Sequence, residues 1–183
     1  MPAFPNPNPY SIAKSRLALT LLAVFCIAAA QPSGAAAPHP DPWLGVVSYV
    51  VDGDSVRVRP LQGGKPVSVR LDGIDAPEIC QSGGEAARDA LRLRVLGRQV
   101  VIDGKSRDDY GRLLARIRLD GDDVGARMVK DGRAWSYRYH DSDGPYAAQQ
   151  RLAESARRGI FADTSAVAVY PAAFRKQHGA CPR

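Results

Sequence analysis

Three short runs of alternating apolar residues limit what this chain can fold into. The runs are Leu44 to Val51, the stretch with Val56 and Val58, and the stretch with Val67, Val69 and Leu71. Residues two apart lie on one face of a β-strand, so each run predicts a strand with one apolar face. Asp52-Gly53 and Gly63-Gly64 separate the runs and are typical of tight turns. The pattern predicts three consecutive antiparallel strands.

The next segment predicts a helix and two more strands. Ser82 and Glu85 have the spacing of a capping box, in which two side chains bond the free N–H groups at a helix start. Apolar residues then recur every four positions and predict a buried stripe, which ends before Gly97. The stripe consists of Ala87, Leu91 and Val95. Residues 99–102 and 113–119 predict the fourth and fifth strands.

Two further helices are predicted after the fifth strand. The first covers Val124 to Lys130 and is closed by Gly132, and the second opens at Pro145 and stops at Gly159. The predicted buried stripe of the second helix is Ala148, Leu152 and Ala156. Five strands with a helix between the third and fourth follow the order of an OB-fold. We therefore predict an α+β fold, a five-stranded Greek-key β-barrel with three helices.

The first 30 residues have the layout of a secretory signal peptide. Lys14 and Arg16 precede an uncharged apolar run over residues 17–30, and Ala28-Ala29-Ala30 before Gln31 offers a cleavage site. The run is shorter than the roughly 20 residues of a membrane span, which disfavours the alternative of an uncleaved anchor. We expect a secreted or periplasmic protein with no stable membrane anchor after cleavage.

The rest of the chain is long enough for one domain. Residues 31–42 predict a flexible linker rich in Ala and Pro, residues 43–163 the folded domain, and residues 164–183 an irregular tail. We expect a monomer.

Without residues 1–30 the formal charge falls from +6 to +4, because 23 Lys and Arg remain against 19 Asp and Glu. A basic surface attracts polyanions, although many small soluble proteins are also mildly basic.

Two cysteines, Cys80 and Cys181, remain after signal removal. An even number in an exported protein predicts one disulfide, with two free thiols or an intermolecular bridge through Cys181 as the alternatives. The three histidines, at positions 39, 140 and 178, stand far apart in the sequence. With two distant cysteines they give no spacing of zinc ligands.

Three short segments carry residues suited to catalysis. They are Asp52-Gly-Asp54, Arg70 with Asp75-Ala-Pro-Glu78, and Asp109-Tyr-Gly-Arg112. Each alone also fits an ordinary turn or loop. Together they supply carboxylates, which are hard oxygen ligands for calcium, and guanidiniums, which bind phosphate through paired hydrogen bonds. A carboxylate beside them can accept a proton from water. The combination indicates metal-assisted hydrolysis of a phosphodiester.

In their order and spacing these segments resemble the thermonuclease, or staphylococcal-nuclease-like, family. The similarity runs from about Val46 to Phe161 and is carried by residues 51–56, 70–78 and 109–112, with residues 132–135 and 159–163 as further matching segments. The resemblance implies a secreted, calcium-dependent nuclease that hydrolyses DNA and RNA. Family members break the bond between phosphorus and the 5′-oxygen and leave 3′-phosphate ends.

The resemblance also implies a calcium site and a general base. Asp54 and Asp75 would bind the ion through their carboxylates, and Ala76 through its main-chain carbonyl. Glu78 would act as the general base on a water near the metal. These roles use four residues from two of the three segments.

On the substrate side, Arg70 and Arg112 would hold the phosphate and stabilise the charge that develops on it. Tyr110 would pack beside the nucleotide and its phosphate. Tyr137 and Tyr139 are both candidates for lining the base pocket. Ordinary packing is the alternative for these last two tyrosines.

The chain departs from the family pattern at three places. Asp109 stands where Lys or Arg is usual, Ser55 replaces a common threonine, and the short stretch after Glu78 contains Cys80. These changes bear on substrate affinity rather than on the class of reaction. Two other functions fit the composition: a catalytically inactive OB-fold module that binds nucleic acid, and a secreted basic adhesin or structural protein. Both leave the carboxylates and arginines without a role, so an active nuclease is the favoured prediction.

Overall fold

A computed structural model describes residues 41–140, 142–163 and 168–181, together with Pro2. Apart from Pro2, the predicted signal peptide and the linker up to residue 40 lie outside the described residues. In the part of the chain that is described, no helix has the length and hydrophobicity needed to cross a bilayer.

The described residues form eight strands, four helices and one 3₁₀ turn. The strands are β1 (Trp43–Val50), β2 (Ser55–Pro60), β3 (Val67–Leu71), β4 (Ile74–Asp75), β5 (Gln99–Arg107), β6 (Leu113–Leu119), β7 (Asp122–Asp123) and β8 (Trp135–Ser136). The helices are α1 (Gly84–Val95), α2 (Val124–Lys130), α3 (Ala147–Ser155) and α4 (Pro171–His178). The 3₁₀ turn covers Gly159–Phe161 and follows α3.

Five of these strands close into a barrel. The strand order is β3-β2-β1-β5-β6, with antiparallel pairing throughout, and β3 also pairs with β6 in parallel, so the sheet returns on itself. This closure confirms the predicted OB-fold barrel. β5 continues five residues beyond the predicted end because a bulge between Gly104 and Ser106 bends the strand without ending its pairing with β6.

The alternating apolar residues fill the barrel. The fully buried side chains from its strands are Val47, Val56, Val58, Val69, Leu71, Val100, Ile102, Ala115 and Ile117. Ala87, Leu91 and Val95 of α1 are buried in the same core, which confirms the predicted stripe of that helix. Val67, at the start of β3, is only half-buried. The core thus supports one side of β3, while Arg70 lies on its other side.

The predicted capping box at the start of α1 is wrong. The N-cap residue is Gly83, in the left-handed backbone conformation with φ 86°, and no side chain caps the helix. The loop before the helix lies against its first residue: the Gly84 N–H donates to the Gln81 carbonyl at 2.8 Å, and a Cβ on Gly84 would collide with the Glu78 carbonyl oxygen. Backbone packing of this loop replaces the side-chain cap.

The predicted buried stripe of α3 is also wrong. Its three members, Ala148, Leu152 and Ala156, are all exposed. The buried positions of the helix are Gln150 and Ala153. Gln150 lies inside because its Oε1 accepts the Ser136 N–H at 2.9 Å, so a satisfied polar side chain occupies a core position. A stripe chosen by hydrophobicity alone misses this register.

The predicted irregular tail contains a helix. α4 begins at Pro171, a residue favoured in the first helical turn, and stops before Gly179, whose φ is 76°. The tertiary contacts of this helix place it beside the residues predicted for catalysis.

Candidate active site

The turn between β1 and β2 holds the first predicted carboxylate in place. The Asp54 N–H donates to Oδ1 of Asp52 at 3.0 Å, and its carbonyl accepts the Leu71 N–H at 2.8 Å. Gly53 permits this position by its small size, since a Cβ there would lie 2.7 Å from the Cβ atoms of Ala76 and Ala87. The turn can therefore approach both the loop after β4 and helix α1.

Arg70 joins two carboxylates that are far apart in the sequence. Its Nη1 donates to Oδ1 of Asp54 at 3.0 Å and its Nη2 to Oδ1 of Asp75 at 2.9 Å. Asp54 is 4% exposed and Asp75 is 1% exposed, so both charges are removed from water. A buried carboxylate needs such a partner, which makes Arg70 a structural element of the site.

Negative charge accumulates around Arg70. Burial raises the pKa of Asp75, the Asp54 carboxylate raises it further, and Arg70 opposes both effects. Burial raises the pKa of Asp52 to about 7, with Asp54 as the second cause. Burial alone would lower the pKa of the Arg70 guanidinium, but Asp54 and Asp75 outweigh it and raise that pKa. The carboxylates therefore exceed the positive charge beside them, and a further cation would relieve their repulsion.

The residues predicted to bind calcium lie together. Oδ2 of Asp54 accepts the Ala76 N–H at 3.1 Å, so Ala76 is beside both aspartates. Oδ2 of Asp75 is buried and accepts no hydrogen bond from any described residue. No group of three or more His, Cys, Asp or Glu side chains forms a metal site among the residues described. Two carboxylates, one of them with a free oxygen, and a nearby main-chain carbonyl nevertheless fit a hard cation that completes its shell with water.

Arg112 is connected to the Asp54 carboxylate through Ser55. Its Nη1 donates to the Ser55 hydroxyl at 3.2 Å, and that hydroxyl donates to Oδ1 of Asp54 at 2.8 Å. On the other side, its Nε donates to Oδ2 of Asp108 at 2.8 Å. Asp108 also accepts the N–H groups of Tyr110 and Arg112. Asp108, which sequence reasoning missed, thus fixes both the loop and the guanidinium.

The three predicted substrate tyrosines lie in different surroundings. Tyr110 is 85% exposed, and its ring centroid lies 5.4 Å from Cζ of Arg112. Tyr137 directly follows β8, in which Trp135 pairs with Asp75 of β4. Tyr139 lies further along and packs edge-on against a histidine, His140. Tyr137 is therefore closer than Tyr139 to the strand pair that contains Asp75, and Trp135 in that pair is buried.

Glu78 lies in the loop between β4 and α1. Its N–H donates to Oε1 of Gln81 at 3.1 Å, and its carbonyl accepts the Gln81 N–H at 2.8 Å. Its carboxylate accepts a hydrogen bond from Nη1 of Arg175 on α4, and the same nitrogen lies 3.9 Å from Oδ1 of Asp75. Sequence reasoning missed both Gln81 and Arg175. Two sequence features could have indicated a helix near the site that carries Arg175: Pro171, which is typical of a helix start, and Cys181 downstream.

Three contacts hold the C-terminal segment against this loop. Cys181 forms a disulfide with Cys80, which confirms the predicted pairing. Nε2 of Gln81 donates to the Val169 carbonyl at 2.6 Å. The Tyr170 hydroxyl donates to the Ser136 carbonyl at 2.7 Å, and its ring lies 5.2 Å from that of Trp135. The segment is therefore part of the site and not an appendage.

Residues 68–163 match the family described as staphylococcal nuclease homologue. The chain belongs to this family. It is 38% identical to Protein ParB of Escherichia coli over 134 residues, which is 67% of this chain and 75% of that protein. It is 32% identical to the micrococcal nuclease of Shigella flexneri over 157 residues, 80% of this chain and 89% of that one. An uncharacterized endonuclease of Haemophilus influenzae is 32% identical over 131 residues, 72% of each chain.

The match covers most of the site of this staphylococcal nuclease homologue. Arg70, Asp75, Glu78 and Arg112 lie inside the matched residues, as does Cys80. Helix α4 and Cys181 lie beyond residue 163 and therefore outside the match. The disulfide connects these two parts of the protein.

Reduction of the disulfide is expected to destabilise this staphylococcal nuclease homologue. The bond joins residues 101 positions apart, and closing a loop of that length restricts the unfolded chain by about 4–5 kcal/mol in the chain-entropy model, with smaller gains often measured. We therefore expect a lower melting temperature in reductant. The control is a Cys80→Ser and Cys181→Ser double variant, whose melting should not respond to reductant. Equal melting of the oxidised and reduced wild-type protein would contradict the prediction.

Proposed function

We propose that this protein is a calcium-dependent nuclease that hydrolyses phosphodiester bonds of DNA and RNA, breaking the bond to the 5′-oxygen and leaving 3′-phosphate ends. The observation that carries the proposal is the Arg70 bridge between Asp54 and Asp75, with an unpartnered oxygen on Asp75 and with Glu78 and Arg112 at its sides. The names of the nuclease relatives support it.

A calcium ion would be held by the carboxylates of Asp54 and Asp75 and the carbonyl of Ala76. Calcium takes six to eight oxygen ligands with flexible geometry, so water molecules would complete the shell. Calcium bound there would supply positive charge beside the scissile phosphate. The excess of carboxylates over guanidiniums in the buried part of the site favours a divalent cation.

The protein's own residues then account for the remaining steps. Arg70 and Arg112 donate hydrogen bonds to the phosphate oxygens as charge develops on them. Glu78 accepts a proton from the attacking water as its oxygen bonds to phosphorus. The bond from phosphorus to the 5′-oxygen breaks, and that oxygen takes a proton from solvent. Tyr110, exposed beside Arg112, packs against the nucleotide, and Tyr137 is the stronger candidate for the base pocket.

We also propose that the protein works outside the cytoplasm, as a monomer. The Cys80–Cys181 disulfide supports an oxidising compartment, either the periplasm or the exterior of the cell. The signal-like pattern of the first 30 residues supports the same placement. Fractionation of a producing cell, with assay of the culture medium and of the periplasm, tests this part of the proposal.

Removal of calcium is expected to abolish cleavage. Purified protein should degrade plasmid DNA in calcium, stop in excess chelator and recover when calcium is restored. Magnesium prefers a tighter octahedral shell at shorter distances, so we expect it to support little turnover. Full activity in chelator, or rescue by zinc alone, would contradict the calcium assignment. Binding of DNA without cleavage in any of these conditions would instead support the inactive OB-fold module.

A further inference from the structure

A third arginine reaches the active-site carboxylates from the C-terminal helix. Arg175 donates to Glu78 and lies 3.9 Å from Oδ1 of Asp75. Its helix is attached to the surrounding loop and strand by the disulfide and by the Gln81 and Tyr170 contacts. The fold therefore sets the position of Arg175 independently of the ion pair that it makes.

Arg175 has the fewest hydrogen bonds to described residues and the most exposed side chain of the three arginines. Arg70 uses both terminal nitrogens on Asp54 and Asp75, and Arg112 uses two nitrogens on Asp108 and Ser55. Only Nη1 of Arg175 donates to a described residue. Its side chain is 42% exposed, against 18% for Arg70 and 28% for Arg112. Arg175 therefore keeps donors for an anion that comes from solvent.

The contact with Glu78 is one that a substrate can displace. A half-exposed ion pair is weak because water screens it. A phosphate offers a guanidinium two parallel hydrogen bonds, whereas the described structure gives Arg175 one bond to Glu78.

We propose that Arg175 binds a backbone phosphate of the substrate strand next to the one that is cleaved, and that it leaves Glu78 when the strand binds. The inference rests on the proposed nuclease function. Arg70 and Arg112 serve the cleaved phosphate from the barrel side. Arg175 approaches from α4 at the exposed edge of the same carboxylates, where its 42% exposed side chain is open to a strand longer than one nucleotide.

The proposal predicts a defect that depends on substrate length. Arg175→Ala should weaken binding of a short single-stranded DNA by about tenfold, as expected for loss of a hydrogen bond to a charged group. The slope of log Kd against the logarithm of the salt concentration should decrease by about one, because one phosphate contact is lost. Hydrolysis of a nucleoside phosphodiester with a nitrophenyl leaving group and no second phosphate should be unchanged. Arg175→Lys should recover part of the binding.

The experiment uses the full disulfide-bonded protein. The fluorescence anisotropy of labelled single-stranded DNA, measured in chelator over a range of salt concentrations, gives Kd and its salt dependence. Steady-state assays in calcium give kcat and KM for both substrates. Lys176→Ala is the matched control: it removes one positive charge from the same helix, at an exposed residue that forms no ion pair with the site carboxylates among the described contacts. This variant should bind and cleave like the wild type.

The outcomes separate the two proposals. Equal loss on both substrates would overturn the inference and make Arg175 a positioning residue for Glu78. Faster cleavage by Arg175→Ala, or an unchanged salt dependence, would also overturn it while leaving the nuclease proposal intact. If the wild type binds DNA with a salt dependence that needs Arg175 but cleaves neither substrate, the nuclease proposal fails and the phosphate contact stands.

Discussion

Replacing Arg70 with alanine is expected to lower the rate of DNA cleavage by at least about 10²–10³, the usual effect of losing one preorganised transition-state donor. It should also destabilise the fold. Asp54 and Asp75 are buried and share Arg70, and removing one partner of a buried ion pair costs about 3–5 kcal/mol. The role that the family resemblance implies for Arg70 concerns the rate alone, and the bridge between the two aspartates adds the effect on folding.

Kinetic assays and denaturant unfolding of Arg70→Ala measure the two effects. Calcium should restore part of the lost stability, because the ion would neutralise the same carboxylates. Arg88→Ala is the control, since Arg88 lies on α1 and pairs only with its neighbour Asp89 among the contacts described. We expect Arg88→Ala to cleave DNA normally. An Arg70→Ala variant with wild-type cleavage would refute the role assigned to Arg70.

Replacing Glu78 with glutamine is expected to lower kcat by about 10²–10⁴, the usual contribution of a positioned general base. The amide keeps the size of the side chain, and the backbone of residue 78 keeps its two hydrogen bonds with Gln81. Melting temperature should therefore change little. The loss should appear in kcat more than in KM, because the base acts on the reaction and not on the binding of the strand.

Glu85→Gln is the matched control for this prediction. This substitution removes the same negative charge, but at an exposed position in the first turn of α1. It should leave kcat unchanged. If Glu78→Gln folds and still cleaves at nearly the wild-type rate, another group must accept the proton.

Much of the barrel follows from local sequence. Alternating valines predict strands because residues two apart share a face, and the four-residue spacing of Ala87, Leu91 and Val95 predicts the buried stripe of α1. The same rule fails at α3, because the Ser136 N–H recruits Gln150 into the core. The separate capping-box prediction fails at the start of α1, where the backbone of the preceding loop takes the place of a side-chain cap.

The sequence by itself determined the succession of the five barrel strands and the inventory of carboxylates and arginines, and it favoured one disulfide, since these depend on residue type, spacing and the number of cysteines. The structure then decided between the disulfide and its alternatives. Only the tertiary structure decided which groups meet. It placed Arg70 between Asp54 and Asp75, and it brought Arg175 to Glu78 across 97 residues. The physical reason is that such contacts depend on how separate elements dock, and no local pattern in the chain encodes the docking of α4 beside the barrel.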